Sequence, residues 1–185
     1  MISTKFIQIS NATKKINWRQ PKPKLTPMLI LGIDPGTALI GIGLVNYQNK
    51  KLFLKGYQCI KTDPRASTAE RLNDLFDQLN RVIKKFRPDL IAVEDIFFFK
   101  NLKTAVKVSQ ARGVILLAAA QQKIKVCEFT PLQVKQALTG YGRAEKHQIQ
   151  QMVKAIFRLN EIPRPDDAAD AIAVAICCAH SLPRA

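Results

Sequence analysis

Four carboxylates stand where a soluble protein seldom leaves a charge, in a chain with only 14 Asp and Glu among 185 residues. Asp34 closes the apolar run Leu29-Ile30-Leu31-Gly32-Ile33, and Glu94 closes Leu90-Ile91-Ala92-Val93. Both runs read as buried strands, and ligand sites in α/β sheets lie just beyond the carboxyl ends of such strands. Asp167 and Asp170 are three residues apart, which places them on one face of a helix, and Asp170 leads into Ala171-Ile172-Ala173-Val174-Ala175-Ile176. Clustered carboxylates repel one another and are costly to desolvate unless a cation neutralises them. Oxygen donors of this kind suit one or two hard divalent ions, Mg²⁺ with Mn²⁺ as a substitute. Two such ions ~3.5–4 Å apart serve in-line phosphodiester cleavage, one activating water and the other stabilising the leaving oxygen.

Each acid also has an ordinary reading. Asp166, Asp167 and Asp170 follow Pro165 in the first turn or so of a helix, where acids cap the end and complement the dipole. For Asp166 that is the better reading. Asp34 precedes Pro35-Gly36 and could be a turn residue, whereas Glu94 at a strand end has no easy structural role. It is the combination that indicates a site.

Charge supplies the context. There are 29 Lys and Arg, for a formal net charge of +15, which argues for a polyanionic partner. A basic protein with an acidic pocket makes sense as a nuclease, with lysines gripping the backbone and carboxylates holding metal. Apolar residues make up 47% of the chain, enough for a core. The longest uncharged apolar stretches, Gly113–Ala120 and Ala171–Ala179, fall far short of the ~20 residues needed to cross a bilayer, so no membrane-spanning segment is expected, and no membrane is among the expected partners. Cys59, Cys127, Cys177 and Cys178 form no C-x-x-C pair and read as small buried hydrophobes in a reducing compartment.

Residues 1–27 hold six basic residues and no acid, leaving +9 on the remainder. Ending in Pro21, Pro23 and Pro27, they have no apolar signal core. They read as a disordered basic extension without a catalytic part. A transit peptide, or residues upstream of a start at Met28, are the alternatives.

From Met28 the elements follow one another. Strands are expected at Met28–Asp34, Ile40–Tyr47 and Leu52–Lys61, the last two joined as a hairpin through Gln48-Asn49-Lys50. A helix over Ser67–Phe86 carries apolar residues at i, i+3, i+4 spacing and ends at Arg87-Pro88. A strand at Asp89–Val93 closes on Glu94. Helices over Lys103–Gln122, from Pro131, over Ala144–Leu159 and over Asp166–Ala179 complete the order, with a short strand at Lys125–Glu128 and a Gly140-Tyr141-Gly142 break. A meander followed by alternating helices and strands makes one α/β domain, 28–185, with a mixed sheet.

These segments, in this order, resemble the RuvC Holliday junction resolvases of the RNase H-like superfamily. The matching residues are Leu31-Gly32-Ile33-Asp34-Pro35-Gly36-Thr37 with Gly41 and Gly43; Glu94-Asp95-Ile96-Phe97 with Asn101; Gln110-Ala111-Arg112-Gly113; Val134-Lys135-Gln136 with Gly140, Gly142, Lys146, Gln148 and Gln150 to Val153; and Asp167-Ala168-Ala169-Asp170-Ala171. The resemblance implies an RNase H-like fold, a three-strand antiparallel meander plus parallel strands flanked by helices. It places Asp34, Glu94, Asp167 and Asp170 on the family's metal-binding catalytic acids. Lys135 and Lys146 fall on residues facing DNA, and Phe97 on an aromatic that stacks on a base near the crossover.

The resemblance further implies a Mg²⁺-dependent endodeoxyribonuclease, a homodimer that nicks a four-way junction symmetrically and leaves 5′-phosphate and 3′-hydroxyl ends. Association with the RuvA-RuvB branch-migration complex and a cytoplasmic, nucleoid-associated location go with it, or organellar import if residues 1–27 form a transit peptide. The helix 103–122 resembles the family's dimer segment, and its pattern reads equally well as ordinary core packing. Phe98, Phe99 and Asp95 depart from the family pattern, the last an added acid without an evident role.

Two other classes compete with this reading. Gly32-Ile33-Asp34-Pro35-Gly36-Thr37 with Gly41 also looks like the first phosphate loop of actin-like and sugar-kinase-like ATP-binding proteins. Those need a second domain, for which the ~158 residues after the extension leave no room. A non-catalytic junction-binding module would have no use for acids aimed at phosphates.

Overall fold

The computed structural model describes residues 27–36, 38–95 and 102–183, with side chains from residue 105 onward in the last of these. Residues 1–26, Thr37, Phe97 to Phe99 and Asn101 lie outside the described residues, so the N-terminal extension and the stacking aromatic do too.

The five strands are β1 (Met28–Asp34), β2 (Leu39–Gln48), β3 (Lys51–Lys61), β4 (Leu90–Glu94) and β5 (Lys125–Phe129). They form one sheet in the order β3-β2-β1-β4-β5. The first three are the antiparallel meander, and β4 and β5 run parallel to β1. Asn49 and Lys50, with φ of 51° and 61°, make the two-residue turn between β2 and β3, a hairpin turn that matches the twist of the strands.

Five helices complete the fold: α1 (Thr68–Phe86), α2 (Leu102–Gln121), α3 (Pro131–Thr139), α4 (Lys146–Phe157) and α5 (Asp166–Ser181). Ser67 and Glu70 close a capping box at the start of α1, and Arg87 in the left-handed region ends it ahead of Pro88. Thr130 and Gln133 form a second box ahead of Pro131, the first residue of α3. The helix expected over Ala144–Leu159 is shorter at both ends. Ala144 belongs to the preceding loop, and Arg158 at φ 53° breaks the run after Phe157.

Strand alternation sends side chains to two cores. Leu31 and Ile33 of β1 and Ile91 and Val93 of β4 pack under α1 and α2, against Leu75, Leu79 and Ile115. Ile30, Leu90 and Ala92 face α5, with α3 and α4 outside it. From Ala171 to Ala179 every residue of α5 is buried, which accounts for its apolar, small-residue sequence. Gly32, Gly41 and Gly43 let this helix lie directly on β1 and β2. A Cβ on Gly32 would fall on the Ala171 carbonyl, one on Gly41 on the Asp167 carbonyl, and one on Gly43 would sit 2.8 Å from Ile172 Cα.

All four cysteines are unbridged, and Cys177 and Cys178 are buried as expected, but Cys59 and Cys127 are only half-buried. No helix among the described residues is long and apolar enough to cross a membrane.

Candidate active site

β1 and β4 are parallel neighbours with Ile33 opposite Val93, so the next residues, Asp34 and Glu94, emerge side by side. Continuing the alternation, both point to the α5 side of the sheet. Asp34 pairs across the sheet with Gly41, and the first turn of α5 rests on Gly41. Asp167 and Asp170 are thereby carried over the end of β1. The four acids that the sequence marks come from three elements to the same end of the sheet.

Their electrostatics follow from that crowding. Burial, and then the charges of Glu94, Asp170 and Asp167, hold the Asp34 carboxyl well above the ordinary carboxylate range. Burial and the Asp170 charge push Glu94 up to about 7, against a hydrogen bond shared with Asp34 and the charges of Lys135 and Lys146. Burial raises Asp170 as well, although Lys146 Nζ lies 2.9 Å from its carboxylate. Partial burial works against the Lys146 ammonium, but the hydrogen bond to Asp170 and the charges of Asp170, Asp166 and Asp167 hold its pKa above the usual value.

Lys146, the first residue of α4, is therefore set directly against the acids, and Lys135, on α3, lies near enough for its charge to act on Glu94. Asp166 stands in the first turn of α5 as expected, but its side chain makes no cap. It accepts from Arg164 Nη1 at 2.6 Å and lies 3.7 Å from Lys146 Nζ.

Asp95 also acquires a role. As Glu94's neighbour it points away from the cluster, and its carboxylate lies 3.4 Å from Arg112 Nη2, which also pairs with Glu128. The Asp95 amide donates to the Phe129 carbonyl at 2.7 Å. Arg112 thus ties the end of β4 to β5 and to α2. A basic residue beside Ala111 in a mostly apolar helix was the only signal in the sequence, and its partners could not be read there.

Among the described residues no three acids close on a single point, Asp170 being held by Lys146. The donor set still fits a hard divalent cation: its atoms are carboxylate oxygens, and Asp34 is raised in part by mutual repulsion that such an ion would relieve.

Titration tests this crowding. Asp34 and Glu94 have folded-state pKa values above their ordinary ones, so between ~pH 4 and ~pH 7 the folded chain holds protons that the unfolded chain has released. Stability contributed by these groups is therefore greatest at the acidic end and falls as pH rises through that window. In EDTA, the melting temperature of the wild type is expected to fall relative to that of Asp34→Asn by about 5 °C between ~pH 5 and ~pH 7.5. Parallel curves from scanning calorimetry would show that burial and the neighbouring acids do not raise Asp34.

Comparison with known proteins agrees with the geometry. The family model described as crossover junction endodeoxyribonuclease RuvC matches residues 30–178. A protein of that name from Heliobacterium modesticaldum is 56% identical over 155 residues, covering 84% of this chain and 96% of its own. A Thermus thermophilus RuvC structure superposes with a TM-score of 0.77 at 38% identity, covering 83% of this chain and 94% of that one. T. thermophilus RuvC in complex with a Holliday junction substrate gives a TM-score of 0.75 at 36% identity, with the same coverage. These matches displace the ATP-binding and non-catalytic alternatives and bear out the RNase H-like fold. With the acids at the carboxyl ends of β1 and β4 under the first turn of α5, they show that the chain belongs to the RuvC family of crossover junction endodeoxyribonucleases.

Proposed function

We propose that this protein resolves Holliday junctions during recombination and repair, by paired symmetric nicks that leave 5′-phosphate and 3′-hydroxyl ends. The observation that carries the reading is the convergence of Asp34, Glu94, Asp167 and Asp170 at one sheet end with Lys135 and Lys146 beside them. Asp34, Glu94, Asp167 and Asp170 would hold two Mg²⁺ ions, or Mn²⁺ in their place, which supply an activated water and stabilise the departing 3′ oxygen.

The chain's own residues do the rest. The carboxylates concentrate negative charge that only cations offset. Lys146 and Lys135 place positive charge where a scissile phosphate must enter, which positions the backbone without reading sequence. Phe97 is proposed to stack on a base near the crossover, a sequence-tolerant contact.

A paired cut needs two sites, and α2 offers a face for the second copy. Val106, Gln110, Gly113 and Leu117 form an exposed stripe at i, i+4, i+7 and i+11, with Val106 and Leu117 57% and 52% exposed. Nothing lies within 4 Å of a Cβ placed on Gly113, so the stripe is flat there. A second copy of this chain is its proposed occupant, making a homodimer. Association with the RuvA-RuvB branch-migration complex and action at the nucleoid in the cytoplasm belong to the same reading.

A synthetic four-way junction with Mg²⁺ should acquire nicks at symmetry-related positions of two opposing strands, sealable by ligase and absent in EDTA. Nicks in one strand alone would overturn the paired mechanism, and ATP hydrolysis without nicking would overturn the function.

A further inference from the structure

The loop between α3 and α4 carries an apolar feature that the acid site does not use. Leu132 and Tyr141 are among the most exposed large apolar side chains of the described residues, at 58% and 59%. Single exposed hydrophobics are ordinary on protein surfaces, but here the residue after Tyr141 lies against Leu132. A Cβ placed on Gly142, next to Tyr141, would run into the Leu132 side chain, with Leu132 Cγ at 3.3 Å. The loop lies against Leu132, close enough that a side chain at 142 would have to push the leucine aside.

Tyr141 is also held in place. Gly140 ends α3 in the left-handed region at φ 72°. The Thr139 hydroxyl accepts from the Tyr141 amide at 3.1 Å and lies 2.9 Å from the Tyr141 carbonyl. That carbonyl in turn accepts from the Ala144 amide at 3.3 Å. Its backbone is fixed on both sides while its ring stands in solvent, an arrangement that lowers the entropy cost of binding through the ring.

The surroundings point to DNA. Leu132, Lys135 and Thr139 follow one another at i, i+3 and i+7 along α3, so one stripe carries the apolar residue, the lysine that acts on Glu94 and the hydroxyl that holds Tyr141. Arg143 follows in the loop, and Lys146 at the start of α4 holds Asp170. An apolar shelf continuous with cations at the acid site suits a nucleic-acid strand that offers phosphates to the lysines and an exposed base face to the shelf. At a four-way junction the bases at the crossover are the ones whose stacking is interrupted.

Building on the junction-resolving reading, we infer that Tyr141, flanked by Leu132, is a stacking platform for a base at the branch point, fixing how the junction sits over the acids.

The test uses full-length protein and a four-way junction carrying 2-aminopurine at each base flanking the branch point, in EDTA so that nothing is cut. Wild-type protein should change the fluorescence at one position that still responds in Phe97→Ala, apart from the position on which Phe97 stacks. Tyr141→Ala should abolish that change and weaken junction binding about tenfold, within the range for loss of one base-aromatic stack. Tyr141→Phe should behave as wild type. The dependence of affinity on salt should stay the same in all three, because no phosphate contact is lost. Leu132→Gln should weaken binding in the same direction, giving a second measurement should Tyr141→Ala fold poorly.

Tyr141→Ala or Leu132→Gln binding within twofold of wild type, with the fluorescence response intact, would overturn the platform and leave the shelf to a protein partner. That outcome is distinct from failure of the junction-resolving reading, in which wild-type protein itself would not nick the junction in Mg²⁺.

Discussion

Replacing Asp34 by Asn is expected to reduce junction cleavage by about a thousandfold or more while junction binding persists or tightens. Such a loss corresponds to about 4 kcal/mol of transition-state stabilisation, in keeping with the several kcal/mol that a bound metal contributes. The charges of Glu94, Asp170 and Asp167 all act on Asp34. Asparagine keeps its shape but removes the negative charge that a hard cation needs. DNA should not be lost with it, because taking a negative charge from a pocket that receives phosphate lowers repulsion.

Asp166→Asn supplies the comparison. It removes an acid from the first turn of α5, next to Asp167, but one paired with Arg164 at 2.6 Å, and cleavage should fall by no more than a few fold. Single-turnover cleavage and gel-shift titration on one preparation decide the matter. If Asp34→Asn cuts at the wild-type rate, the acids have been assigned wrongly.

Asp34 and Glu94 were legible in the sequence because a charge that ends an apolar run conflicts with burial, and burial can be read from pattern. Their neighbourhood was not, since it depends on β1 and β4 being adjacent in the sheet although 55 residues of chain separate the two strands. The hairpin and the helix ends were legible wherever local chemistry sets them, as at Ser67 with Glu70 and at Arg87-Pro88.

What stayed hidden was pairing across long separations. Asp95 looked like an unexplained acid until α2 brought Arg112 to it. Lys146, which the resemblance sets facing DNA, gains its partner Asp170 only where the start of α4 faces the start of α5. Gly32, Gly41 and Gly43 could be recognised as places of close approach, but the sequence names no partner for them. The fold supplies α5, and with it a dependence of the chemistry on residues that carry none.

That dependence makes Gly41→Ala the second large effect expected. The added Cβ would fall on the Asp167 carbonyl and lie 3.2 Å from Ala171 Cβ. The obstacle is helix backbone, which cannot swing aside as a side chain can, so α5 must lift from β1 and β2 at its first turn. Overpacking of this kind costs about 1–3 kcal/mol, or a melting temperature lower by about 3–10 °C for a chain of this size.

The larger consequence falls on the reaction. Asp167 and Asp170 ride on the turn that moves, while Asp34 and Glu94 stay with the sheet, and a misplacement of ~1 Å at a reacting centre costs about a hundredfold. Cleavage measured well below the melting transition, with the junction saturating, should fall by that factor while binding changes little. Gly56→Ala, where a Cβ meets nothing within 4 Å, should leave both cleavage and melting near wild type. Should Gly41→Ala melt earlier but cut at the wild-type rate, the first turn of α5 contributes stability without setting the spacing of the acids. If it cuts slowly in proportion to the loss expected, catalysis in this protein rests on a glycine that touches neither metal nor DNA.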